Sequence, residues 1–175
     1  MPGAGLHREP LGLDGFNRLT DRQRMNMLFR VCSSTIWARR VLAGGPFRDA
    51  SALLDRADRV LAELPDGEID AALDGHPRIG AKVDNASSAR EQAAVVTAAD
   101  SVKTELAARN AEYDDKFGYV YLVCASGRSA EELLAILTDR LDNDPETERR
   151  VMRNELAKIN RLRLERLLSE PPQAG

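Results

Sequence analysis

Tyr119-Val120-Tyr121-Leu122-Val123-Cys124-Ala125 is the only strongly β-prone run in the chain, and the fold class turns on what it can pair with. A strand needs neighbours to satisfy its main-chain donors and acceptors, and a single one is not stable alone. No comparable run exists elsewhere, so a buried extended segment or a short helix start is expected here, not a sheet. On both sides the apolar residues recur at helical spacing. The chain therefore reads as all-α: a single irregular multi-helix bundle.

Working upstream, Lys116-Phe117-Gly118 closes a helix expected over Ser101 to Asp114. Ser88-Ala89-Arg90-Glu91 has the form of a capping box and opens a helix carrying Gln92, Val95 and Val96. Residues 81–87 are polar and loop-like. Before them a short helix spans Asp66 to Asp74 and is stopped by Gly75. An amphipathic helix from about Asp49 to Leu64 puts Leu53, Leu54, Ala57, Val60 and Leu61 on one face. A further helix runs through Ile36, Trp37, Val41 and Leu42 to Gly44-Gly45-Pro46, after Ser33-Ser34-Thr35, which interrupts or recaps the preceding helix. Thr20-Asp21-Arg22-Gln23 is another capping box, and its helix carries Met25, Leu28, Phe29 and Cys32. Trp37 and Phe47 are core candidates. Downstream, Ser129 caps a helix through Leu133, Leu134, Ile136 and Leu137. Asn143-Asp144-Pro145 starts the last and longest helix, which runs to about Leu168 with Pro145 at its first position. Residues 1–12 read as a flexible arm, 13–170 as the helical domain and 171–175 as a flexible tail.

The 175 residues suffice for one domain with a sizeable core. A net charge of -3 with both signs interspersed gives no basic stripe for nucleic acid. No apolar run approaches a membrane span, and the N-terminus lacks a signal-type apolar core. The last residues, Pro171-Pro172-Gln173-Ala174-Gly175, are not a peroxisomal address. Cys32 and Cys124 are far apart and flanked by apolar residues, as buried thiols in a reducing cytoplasm would be. A nucleophilic role for either would need a local activating group, and none is near in sequence. One usable histidine with no cysteine cluster makes no metal site, and Gly-rich phosphate loops are absent.

Four features carry chemistry. The first is His76-Pro77-Arg78-Ile79-Gly80, which holds one of two histidines; the other, His7, lies in the arm. Pro77 stiffens the chain and biases His76 towards an extended conformation, and Gly80 permits a turn closed to most residues. The imidazole is either a surface group in a turn or a titrating group poised near neutral pH. The second is the face Ser88, Glu91, Gln92 and Val95, at i, i+3, i+4 and i+7. It is either plain helix capping or a carboxylate and an amide set side by side for a polar, amide-rich small molecule. The third is Tyr121 to Ala125, a core segment that could also offer main-chain groups to a heterocycle. The fourth is Arg163, which interrupts the stripe Met152, Leu156, Ile159 and Leu167, while Arg161 points to the opposite side. A guanidinium on a core-facing line snorkels, pairs with an internal carboxylate, or meets a carboxylate or imide in a pocket.

Taken together the pieces resemble the OHCU decarboxylases of urate breakdown, which act on 2-oxo-4-hydroxy-4-carboxy-5-ureidoimidazoline. The matching residues are Cys32-Ser33-Ser34-Thr35 with Trp37, Pro46-Phe47 and His76-Pro77-Arg78-Ile79-Gly80. They continue as Ser88-x-x-Glu91-Gln92, Asn110-x-x-Tyr113-x-x-Lys116-Phe117-Gly118, Cys124 and Gly127. Glu155-Leu156, Lys158-Ile159 and Leu162-Arg163-Leu164 complete them, and the match spans about residues 11–170. Each motif is weak alone; their order and spacing make the likeness specific.

The resemblance implies an all-helical, cofactor-free decarboxylase, often dimeric. Its catalytic histidine maps to His76; on chemical grounds Glu91 is expected to orient the substrate and tune the imidazole. Its substrate contacts map to Pro77, to Ser88, Ala89, Arg90, Glu91 and Gln92, to Tyr121, Leu122, Val123, Cys124 and Ala125, and to Arg163. Ala89-Arg90 is expected to contribute main chain, and the loop Ala81 to Ser87 is short beside some relatives. The partner implied is the small ureidoimidazoline, with no nucleic acid and no membrane. Two other classes fit the residues: a non-catalytic helical module that binds a small ligand or a protein, and a hydrolase of a related ureide using His76 and Glu91 on water.

Overall fold

The computed structural model describes residues 8–74, 76–80 and 86–172, with the side chains of 86 and 87 undescribed. Residues 1–7, residue 75, residues 81–85 and the last three residues lie outside these, as do the expectations placed on His7, on Gly75 as a helix stop and on 81–85 as a loop. The described residues form ten helices and no strand. They are α1 (Gly12–Arg18), α2 (Asp21–Val31), α3 (Thr35–Leu42), α4 (Ala50–Glu63) and α5 (Asp66–Leu73). After these come α6 (Ala86–Glu91), α7 (Ala93–Val96), α8 (Asp100–Phe117), α9 (Ala130–Leu141) and α10 (Pro145–Ser169). The all-α expectation is met. The chain divides into two compact units: one runs through to Glu63 and resumes at Asn160, and the other is Leu64–Ile159.

In the first unit, α2, α3 and α4 pack in sequence order. The capping box at Thr20 forms in full: its side chain accepts from the Gln23 N–H, and Gln23 accepts from the Thr20 N–H. Ser34 recaps the chain by accepting from the Trp37 N–H. Trp37 is buried, and its indole N–H donates to the Ala57 carbonyl at 3.2 Å, tying α3 to α4. Phe29 departs from expectation at 46% exposure. The inward face of α2 is Leu28, Val31 and Cys32 (i, i+3, i+4), and Phe29 sits a full 100° round from Leu28. Helix α1 occupies residues for which the sequence offers little helical signal. It is fixed at long range by the burial of Phe16 and by the Asn17 amide, which exchanges two hydrogen bonds with the main chain of Phe47.

The second unit is built on α8 against α9. Leu106, Tyr113, Leu133 and Leu137 are fully buried there, joined by Ile79, Val95, Tyr121 and Val123. Each such aliphatic side chain contributes about 1.5–3 kcal/mol on burial. α8 ends at Gly118, whose left-handed φ of 78° closes the helix through its N–H to the Asp114 carbonyl. Residues 119–125 follow with neither helix nor strand, and Tyr121, Leu122, Val123 and Ala125 are buried, as expected. Ser129 caps α9, and Asp144 accepts from the Thr147 N–H ahead of Pro145 at the start of α10.

Two readings need correction. Ser88 is not an N-cap: α6 already begins at Ala86, and Ser88 lies inside it, 2% exposed. The helix expected to run on from there breaks at Gln92, whose φ of -103° and ψ of 17° separate α6 from α7. The stripe on α10 also shifts. Met152, Leu156 and Ile159 are buried as expected, but the line continues through Asn160, Leu164 and Leu168, not Leu167. A spacing of four residues per turn drifts round a 3.6-residue helix, and the change falls where the chain passes from one unit to the other.

Candidate active site

His76 leaves α5 with its N–H donating to the Leu73 carbonyl at 2.9 Å, and it is 9% exposed. It is a largely buried imidazole, not a surface group in a turn. It lines a cavity of about 340 Å³ together with Asp70, Leu73, Asp74, Arg78, Gly118, Tyr119 and Val120. That volume is on the scale of a small-molecule site.

The residues after His76 are fixed by side chains from two other elements. Gln92 accepts from the Gly80 N–H at 3.0 Å and donates to the Arg78 carbonyl at 3.4 Å. Asn110 on α8 donates to the Ile79 carbonyl at 3.1 Å, and Arg78 pairs with Asp114 one turn further on. Gly80 has a φ of 89°, and a Cβ there would meet only the Val95 side chain at 3.8 Å, so conformation, not space, requires glycine. The break at Gln92 thus has a cause: it turns that amide onto residues 78–80. Sequence reading gave Gln92 to the substrate; its amide is occupied by main chain on both sides. Asn110 and Asp114 were not singled out as site residues. The available signal was a polar residue, Asn110, on the buried face that α8 makes with Leu106 and Tyr113.

Ser88, Gln92 and Val95 form the buried face of α6 and α7, with Glu91 half-buried beside them. Ala89 and Arg90 are exposed. The 121–125 segment lies in the same unit. That segment is held from within the unit. Tyr121 donates its hydroxyl proton to the Leu133 carbonyl at 3.0 Å. Arg140 donates to the Leu122 carbonyl at 2.6 Å, and Glu155 accepts from the Cys124 N–H at 3.3 Å.

Both thiols are held protonated at neutral pH. Burial pushes Cys124 up, and the Glu155 and Glu91 carboxylates push the same way. Burial pushes Cys32 up to about 11 against the opposing pull of the Asn160 side chain and the Arg163 guanidinium. Neither is an activated nucleophile. Among the described residues no group of three or more His, Cys, Asp or Glu gathers as metal ligands would.

His76, Pro77, Ser88 to Gln92 and Tyr121 to Ala125 all belong to the second unit, but the residues that line the cavity with His76 include Tyr119 and Val120 and none of Pro77, Ser88 to Gln92 or Tyr121 to Ala125. Arg163 belongs to the first unit. It is half-buried and donates to the Val31 carbonyl at 3.1 Å, at the C-terminal end of α2. Arg161 points away towards Asp55 and Asp58 on α4.

Comparison with known proteins places these features in a family context. A family model described as OHCU decarboxylase matches residues 17–165. The chain is 29% identical over 147 residues to a uric acid degradation bifunctional protein of Arabidopsis thaliana, covering 79% of this chain but only 45% of that protein. It is 27% identical over 148 residues to a 2-oxo-4-hydroxy-4-carboxy-5-ureidoimidazoline decarboxylase of Amia calva, covering 81% and 82% of the two chains. Its fold is similar to that of an OHCU decarboxylase crystallised in the presence of (S)-allantoin. The TM-score is 0.75 at 27% identity, covering 87% of this chain and all of that one.

Proposed function

The chain belongs to the OHCU decarboxylase family, and on that premise we propose that it converts 2-oxo-4-hydroxy-4-carboxy-5-ureidoimidazoline to (S)-allantoin without a cofactor. The observation that carries the reading is His76: a buried imidazole on the wall of a small-molecule cavity, followed by residues braced from α6–α7 and α8.

Loss of CO2 from the quaternary ring carbon leaves an electron pair that passes into the adjacent ring C=N or C=O as an enolate-like anion. The substrate supplies its own sink, so the protein's task is orientation, anion stabilisation and proton transfer. His76 takes the hydroxyl proton or delivers the final proton to one face of the ring. Glu91 orients the ureido or hydroxyl group. Main chain of residues 121–125 meets the amide edges, and Arg163 binds a carbonyl or carboxylate. Pro77 and the end of α6, from Ser88 through Ala89, Arg90 and Glu91 to the main chain of Gln92, complete the contacts. Substrate labelled in the carboxyl group should release labelled CO2 at a rate that depends on the protein. Label retained in a ring-opened product would instead mark a hydrolase.

The same reading gives a cytoplasmic homodimer. Among the described residues no helix is long and apolar enough to cross a membrane. A monomer by sedimentation equilibrium at micromolar concentration would contradict the dimer.

A further inference from the structure

The 121–125 segment is buried except at Cys124 and pairs with no strand among the described residues. We propose that Arg140 and Glu155 are positioning residues that clamp this segment and set its main chain for the substrate. The proposal rests on the decarboxylase reading of the site and adds two residues to it.

The clamp acts at successive peptide groups. Arg140 donates to the Leu122 carbonyl at 2.6 Å, and Glu155 accepts from the Cys124 N–H at 3.3 Å. Both peptides are trans, and a planar trans peptide points its C=O and N–H in opposite directions. With the Leu122 carbonyl turned to Arg140, the Val123 N–H faces away from Arg140. With the Cys124 N–H turned to Glu155, the Val123 carbonyl faces away from Glu155. One residue thus offers a donor and an acceptor, the complement of a ureide or imide edge.

The clamp is itself held rigid. Arg140 is 5% exposed and Glu148 fully buried, and the two meet at 2.5 Å. Glu148 also accepts from the Tyr113 hydroxyl at 2.5 Å and the Asn143 amide at 3.0 Å. The Arg140 guanidinium lies 4.9 Å from the centre of the Tyr121 ring. Burial works against its charge, but the hydrogen bond and charge of Glu148 more than offset this and raise its pKa. A buried ion pair is a poor source of stability compared with apolar residues of the same volume. Its fixed directions are what an apolar pair cannot supply.

The test uses Arg140→Lys, which keeps the pair with Glu148 but lacks the second arm, and Arg140→Met/Glu148→Leu, which removes both charges and strands neither. Steady-state kinetics on freshly generated substrate are read beside amide hydrogen exchange of a peptide covering 119–127. Both variants should remain folded, raise KM by about tenfold with a much smaller change in kcat, and exchange faster over 119–127. Glu155→Gln, which keeps an accepting oxygen, should stay close to wild type, while Glu155→Leu should follow the Arg140 variants. Unchanged KM and kcat in a folded double variant would overturn the clamp. If the wild-type protein shows no turnover, the decarboxylase reading fails. The clamp is then decided by exchange alone: faster in the variants supports it, unchanged overturns it.

Discussion

His76 is a buried imidazole on the wall of a cavity. His76→Asn keeps size and some hydrogen bonding but cannot carry the proton. It should lower turnover at least ~10²-fold while leaving the melting temperature within a few degrees. Near-normal turnover in the folded variant would remove His76 from the mechanism. The thiol of Cys32 gives a second prediction at this scale. Its pKa rises from 9.0 to about 11 in the folded state, chiefly through burial. The folded protein therefore holds this proton over a range in which the unfolded chain has lost it. The stabilisation is fully present below pH 9 and is lost as pH rises through 11, by about 1.4 kcal/mol per pH unit in between. Urea midpoints at pH 8.5 and 10.5 should fall further apart in the wild type than in Cys32→Ala. Equal differences would show that the thiol does not titrate in this window.

Element by element, what was legible in the sequence is what local chemistry decides. Thr20, Ser34 and Ser129 cap their helices through bonds to residues three positions on, so the residues that make each cap are printed side by side. Gly118 ends α8 for an equally local reason. A Cβ there would touch nothing within 4 Å, so Gly118→Ala should cost about 1–2 kcal/mol from backbone strain alone, measured by urea unfolding. A variant as stable as wild type would mean that the left-handed turn is not held. The elements that sequence misjudged depend on distant partners. α1 is fixed by Phe47, thirty residues from Asn17, and the Gln92 break by Gly80 and Arg78. Ser88-Ala89-Arg90-Glu91 shows the converse: the pattern of a cap without its position. The site was legible to the same degree. His76-Pro77-Arg78-Ile79-Gly80 stands out in the text of the chain, but its brace from Asn110 spans 31 positions and does not. Asn110→Leu leaves the buried Ile79 carbonyl unpaired, so it should cost about 1–3 kcal/mol and lower turnover as well. Turnover at the wild-type level in that variant would show that the brace serves stability only.

For the molecule as a whole, His76 and Tyr121 to Ala125 belong to one compact unit and Arg163 to the other. The family match covers residues 17–165 and so takes in part of each, which is why the activity is argued for the intact chain and not for either unit. The most direct measurement uses the full chain on substrate generated in place, with urate oxidised by urate oxidase and the product opened by hydroxyisourate hydrolase. Circular dichroism then follows allantoin as it forms. The account predicts faster build-up of the (S) form when the protein is present, and loss of that effect in His76→Asn. A trace that matches spontaneous, racemic decay with the folded wild-type protein present would contradict it.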